Sequence, residues 1–120
     1  MNTKIKGRTG EDIACAYLKK KKYEIIERNF TTNVGEIDII CAFDGQIIFV
    51  EVKARRSNEY GAPSEAVNYF KQRKISQVAS QFLSKYRKLN YPVRFDVVEV
   101  YMGENKVNHI ENAFDSFLRY

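Results

Sequence analysis

Ile47-Ile48-Phe49-Val50-Glu51-Val52-Lys53 is an apolar run that closes on two charges, and its reading decides the fold. Four consecutive large apolar residues mark a strand covered on both faces, the kind that sits inside a sheet flanked by helices. A carboxylate and an ammonium set at the end of such a strand cost several kcal/mol each unless a partner neutralises them. The preceding segment, Gly35-Glu36-Ile37-Asp38-Ile39-Ile40-Cys41, is a second apolar run interrupted by two acids, and the two runs together suggest a metal site.

Asp44-Gly45 joins them, and Asp-Gly between apolar runs is a leading signal for a two-residue hairpin. With that loop, Phe43 pairs with Gln46, and the register sets Asp38 opposite Glu51 and Glu36 opposite Lys53. Paired residues share a face about 5 Å apart at Cβ, where like charges destabilise a sheet unless a cation lies between them. Magnesium favours oxygen donors, takes one or two carboxylates and keeps water for chemistry, so Asp38 and Glu51, with the Val52 carbonyl, form a candidate ligand set. Lys53 lies on the Glu51 face, because side chains alternate along a strand, and it is placed to orient water or a phosphate.

Working outward, Thr9 as an N-cap with Ile13, Ala14, Tyr17 and Leu18 at helical spacing predicts a first helix over 10–22. Lys19 to Lys22 suit its C-terminal end. Glu11 falls near its inward face, and its bland reading is an acid favoured in the first turn. Strands are expected over 23–30, 35–42, 46–54 and 93–101, with a turn at Gly103-Glu104-Asn105 and a short segment over 107–110. A long helix is expected from Ser64 to Lys88, with Val67, Phe70, Ile75, Val78, Ala79, Phe82, Leu83 and Tyr86 on its apolar period. The order α-β-β-β-α-β-β calls for an α/β sandwich of three layers with a mixed central sheet of four to five strands.

The chain has 120 residues, enough for one domain spanning 1–120. Its 44% hydrophobic and 29% charged residues are ordinary for a globular protein. No stretch reaches the roughly 20 apolar residues of a membrane span, and the N-terminus lacks the apolar core of a signal peptide, so a cytoplasmic protein is expected. Cys15 and Cys41 suit buried reduced thiols. The net charge of +5 favours an anionic partner. Arg55, Arg56, Lys71, Arg73 and Lys74 follow the Lys53 strand or open the long helix and are candidate phosphate contacts on a basic rim. Residues 55–63, with Ser57, Asn58, Tyr60 and Gly61, read as a loop able to order on substrate. His109, the single histidine, is not expected to act as a base, and Asp96 reads as a structural partner. The eight Tyr and eight Phe lie mostly at core spacing and suggest no stacking platform.

Asp38 followed by Glu51-Val52-Lys53, after a helix bearing Glu11, resembles the PD-(D/E)XK nuclease superfamily with its restriction-endonuclease-like fold. Gly10-Glu11, Arg28-Asn29-Phe30, Gly35-Glu36-Ile37-Asp38, Phe49-Val50-Glu51-Val52-Lys53, Lys71-Gln72-Arg73 and Arg94-Phe95-Asp96 look like the YraN-type family of uncharacterised bacterial proteins, over nearly the whole chain. Residue 37 is Ile where the superfamily's name has Pro. The resemblance implies that Asp38 and Glu51 bind Mg2+ or Mn2+ and that Lys53 is the catalytic lysine. It further implies that Glu11 matches the N-terminal acid of archaeal Holliday-junction resolvases. The expected activity is hydrolysis of DNA, at branched or structured sites, by a possible homodimer. The competing expectations are a binding module that keeps the fold without turnover, and a closed salt-bridge cluster.

Overall fold

In a computed structural model the residues 3–56, 68–104 and 106–115 are described, the side chains of 3–9 and Arg56 apart. Their elements are α1 (Thr3–Lys20), β1 (Glu24–Thr31), β2 (Glu36–Phe43), β3 (Gln46–Arg56), α2 (Tyr69–Lys85), β4 (Val93–Met102) and β5 (Lys106–Ile110). One five-stranded sheet runs β1-β2-β3-β4-β5, antiparallel except for the parallel β3–β4 pair that α2 bridges. The expected α-β-β-β-α-β-β order and mixed sheet are therefore present.

The sheet separates two apolar clusters. Ala14, Cys15 and Leu18 of α1 pack with Ile39, Cys41, Ile48, Val50, Val98 and Val100 on one face. Ile75, Val78, Ala79, Phe82 and Leu83 of α2 pack with Ile40, Ile47, Phe49, Phe95 and Val97 on the other. Alternation along β3 assigns each residue to a layer: Ile48 and Val50 face α1, while Ile47 and Phe49 face α2. Gly10 brings α1 close to β3, since a Cβ there would stand 3.3 Å from the Ala54 Cβ. Cys15 and Cys41 are buried free thiols, and burial pushes Cys41 up to about 12.

The β2–β3 hairpin closes as expected, with Asp44 at φ 52° and Gly45 at φ 76°, both in the left-handed region a tight hairpin turn requires. Helix starts differ from the sequence reading. Thr9 lies inside α1, so it caps nothing. The described part of α2 starts at Tyr69, where the Asn68 side chain accepts the Lys71 N–H at 2.9 Å and supplies the cap. Its C-terminus stops short of Lys88 because Arg87 takes φ 56°, and Lys88 N–H and Arg87 N–H close back on the Leu83 and Ser84 carbonyls. Phe70, expected on the apolar period, is 68% exposed. The expectations for residues 57–63, for a helix start at Ser64 and for Val67 lie outside the described residues.

Candidate metal and nucleic-acid site

The predicted hairpin register holds from Phe43↔Gln46 to Ile39↔Val50 and then stops. In a two-residue hairpin the hydrogen-bonded pairs alternate outward from the turn, so the next such pair would join Ile37 to Val52. Instead the Asp38 carboxylate accepts the Val52 N–H at 2.8 Å. The direct Asp38–Glu51 ladder pair expected from the sequence is therefore replaced by a splay of β2 from β3. Glu36 is not opposite Lys53 either; its carboxylate accepts from the Thr31 hydroxyl at 3.2 Å. Because a strand residue carries its N–H and C=O on the same edge, the Val52 carbonyl lies on the edge that Asp38 occupies.

A second irregularity lies one strand further out. Arg28 pairs with Ile39 and Phe30 with Ile37, but Asn29 and Asp38 between them are skipped. Asn29 adopts φ 54° there. The Arg28 side chain reaches α1, while Phe30 and Ile37 pack in the α2-side cluster, so both strands change face at this pair. Asp38 sits at that break, where neither neighbouring ladder claims it.

Glu51 and Lys53 face the α2 side, and Lys71 Nζ lies 3.2 Å from Glu51 Oε1. Burial, and then the Glu51 charge, push the Asp38 carboxyl up to about 7 against the lowering effect of the Val52 N–H. Glu11 and Glu36 push in the same direction. Burial, and then the hydrogen bond with Lys71 and its positive charge, lower Lys53 below the ordinary lysine range against the raising effect of Glu51. Burial alone would lower Lys71 too, but the Glu51 charge, hydrogen bonds with Lys53 and Glu51 and the Asp38 charge together outweigh it and raise Lys71.

Glu11 lies well inside α1, so the first-turn reading is removed. Its carboxylate is 3.6 Å from Arg28 Nη2, which also donates to Asp12 at 2.8 Å. Glu11, Asp12, Arg28 and Asn29 line a cleft of about 360 Å3 on the α1 side of the Asp38 break.

The rim is less uniform than expected. Arg55 Nε is 2.6 Å from Glu99 Oε2, a buried pair, so its guanidinium is committed to the scaffold. Lys71 is inside the site rather than around it. Arg73 and Lys74 are exposed, with Lys74 Nζ 5.1 Å over the Phe70 ring. The Arg56 side chain lies outside the described residues. Lys71, expected at a phosphate, pairs with Glu51 instead, and its spacing from Glu51 in the sequence carries no signal of that ion pair.

The donor set suits a hard cation on a small scale. Among the described residues no three His, Cys, Asp or Glu side chains converge as ligands. What is present is two carboxylates on adjacent strands and a main-chain carbonyl beside them, with one carboxyl pushed up first by burial and then by its acidic neighbour. A divalent cation would relieve that repulsion, and an ion that keeps several waters needs no larger protein set.

A second polar cluster is complete in itself. Asp96 accepts Arg94 Nε and Nη2 at 2.8 Å each, His109 Nε2 at 2.7 Å and the Asn112 N–H at 2.9 Å. Burial raises the Asp96 carboxyl, but these donors outweigh it and hold it below the usual range. His109 Nδ1 is 3.1 Å from the Tyr17 hydroxyl. His109 is thus locked into the scaffold, and Asp96 is the structural partner the sequence suggested.

A family model described as "Uncharacterised protein family UPF0102" matches residues 10–100. The chain belongs to the UPF0102 family. A UPF0102 protein of Alkaliphilus metalliredigens is 52% identical over 114 residues, covering 93% of this chain and 99% of the relative. One of Clostridioides difficile is 48% identical over 114 residues, covering 95% and 100%. One of Caldanaerobacter subterraneus is 47% identical over 119 residues, covering 95% and 98%. The UPF0102 match takes in Glu11, Asp38, Glu51, Lys53 and Lys71 and ends before His109. Among the described residues no helix is long and apolar enough to cross a membrane.

Proposed function

We propose that this chain is a metal-dependent endonuclease that hydrolyses DNA phosphodiester bonds, at branched or structured sites. The observation that carries the reading is Asp38: a half-buried carboxylate at the break in two ladders, beside Glu51 and pushed up to about 7 by desolvation and then by the Glu51 charge. Two acids held together, of which Glu51 has the Lys71 ammonium at 3.2 Å and Asp38 is given only the Val52 N–H, are poor scaffolding and good metal ligands. The motif resemblance to the PD-(D/E)XK nucleases supports the same residues in the same roles.

Asp38, Glu51 and the Val52 carbonyl would hold Mg2+ or Mn2+. When bound, that ion supplies Lewis-acid polarisation of the phosphate and a lowered pKa for an attacking water. Lys53, its proton loosened by burial and by Lys71, hydrogen-bonds the water or the developing oxyanion. Glu11 extends the acidic side of the site toward the cleft beside Arg28. Because a symmetric branched substrate is cut on two strands, a two-fold homodimer would present two such sites.

The Lys71–Glu51 pair favours a second reading, in which the charges close on one another and no ion enters. A cleavage panel of branched, flapped, linear and single-stranded DNA with Mg2+ or Mn2+ separates the two. The nuclease reading predicts cutting by the wild type and none by Glu51→Gln or Lys53→Ala. No cutting by any form, with equal Mn2+ heats for wild type and Glu51→Gln, overturns it.

A further inference from the structure

Two large aromatic side chains stand exposed at the start of α2, beside the site and apart from the core. Tyr69 is 63% and Phe70 is 68% exposed, and the next residue, Lys71, is the one that reaches Glu51. A single exposed ring is ordinary on a protein surface, but two adjacent exposed aromatics beside a charged site make a surface fit for an occupant. What surrounds it restricts the chemistry of that occupant. Lys71, Arg73 and Lys74 lie within four residues on the same helix, and Lys74 Nζ rests 5.1 Å from the Phe70 ring centroid. The ammonium beside the ring adds positive charge at an apolar plane. An occupant that matches is anionic along its length and carries flat π-faces at intervals. An unpaired stretch of DNA has that chemistry, since its bases are free to stack while its phosphates meet the lysines. A paired duplex does not, because its bases are already stacked on one another.

We propose that Phe70 is a base-stacking residue that binds unpaired nucleotides next to the Asp38–Glu51 site, with Arg73 and Lys74 on the adjoining phosphates. The inference rests on the nuclease reading of that site and narrows its substrate to DNA with single-stranded character. Phe70 is a positioning residue, since the side chain that reaches Glu51 is that of its neighbour Lys71.

Binding is measured by fluorescence anisotropy with labelled dT12 and a blunt 12-base-pair duplex, in EDTA, so that the result does not depend on cleavage. The wild type binds dT12 more tightly than the duplex. Phe70→Ala weakens dT12 binding by about tenfold, the scale of one base–aromatic stack, leaves duplex binding unchanged and keeps the unfolding midpoint; Phe70→Trp restores dT12 binding. Equal dT12 affinity for wild type and Phe70→Ala overturns the proposal, as does equal loss on both probes or absence of dT12 binding by the wild type. A dimer in sedimentation that Phe70→Ala abolishes, with dT12 binding unaltered, also overturns it and makes the patch a contact between copies. If stacking holds while no substrate is cut, the nuclease reading fails alone. If cutting holds while Phe70→Ala binds and cuts like the wild type, this inference fails alone.

Discussion

Asp96 and Asp38 are both carboxylates on inner strands of one sheet, and the protein treats them in opposite ways. Asp96 lies within regular β4 pairing and receives four donors: two from Arg94, one from His109 and one from the Asn112 backbone. Its carboxyl is held below the usual range. Asp38 lies where the β1–β2 ladder skips a pair and the β2–β3 ladder ends, receives one N–H, and is pushed up to about 7 beside Glu51. A buried acid with its donors in place, like Asp96, is scaffold, and a half-buried acid kept next to another acid, like Asp38, is poised for something that arrives from outside. The difference is made by backbone: a regular strand brings partners to Asp96, and a break takes them from Asp38.

The largest expected effect breaks the scaffold side. Asp96→Ala leaves the Arg94 guanidinium and His109 buried without their carboxylate, so urea unfolding should show a loss of about 3–5 kcal/mol. Asp38→Asn should leave stability at pH 7 unchanged or slightly higher, because Asn still accepts the Val52 N–H and removes the like charge, while Mn2+ binding and cleavage disappear. Equal destabilisation by the two substitutions would erase the distinction.

Cation addition gives the next effect. Mg2+ or Mn2+ at a hundredfold over its dissociation constant should stabilise the wild type by about 2.7 kcal/mol in thermal unfolding and leave Asp38→Asn unmoved. Lys71→Gln, which clears the ammonium from Glu51, should tighten Mn2+ binding severalfold in calorimetry.

The pH dependence separates the two acids by sign. Asp96, lowered in the fold, contributes stability that is present above the ordinary value of 3.8 and is lost as pH falls through its folded value. Asp38, raised in the fold, contributes stability that is fully present below 3.8 and lost as pH rises toward about 7. Wild type minus Asp38→Asn, measured by urea unfolding from pH 4 to 8 without metal, should therefore fall across that window. The smallest effect concerns the break itself: Asn29→Ala, forced to hold φ 54°, should cost about 1 kcal/mol, and Asn29→Gly little.

Much of the sheet was legible because its signals are local. The Ile47–Val50 run and Asp44-Gly45 placed β2 and β3 and their register as far as Ile39↔Val50. The break at Asn29 and Asp38 was not legible, since alternation assumes a regular strand and the positive φ of Asn29 leaves no mark in spacing. Helix ends misled for a related reason: Thr9 looks like a cap but lies within α1, and Phe70 fits the apolar period although it extends beyond the face α2 buries. Arg55 looks like rim in the sequence, which gives no view of Glu99, two strand positions along on a neighbour. Asp38, Glu51 and Lys53 stand out in the sequence because charges in or beside apolar patterns are conspicuous without knowledge of what they touch, whereas Glu11 is singled out by the resemblance.

The central contrast is open to one direct measurement: 13C NMR titration of the Asp38 and Asp96 side-chain carboxyls, with and without Mg2+. Without the ion, Asp38 should titrate near 7 and Asp96 below the usual carboxylate range; with it, the Asp38 midpoint should drop by well over one pH unit while Asp96 stays fixed. An Asp38 midpoint near 4 that ignores Mg2+ would contradict the account.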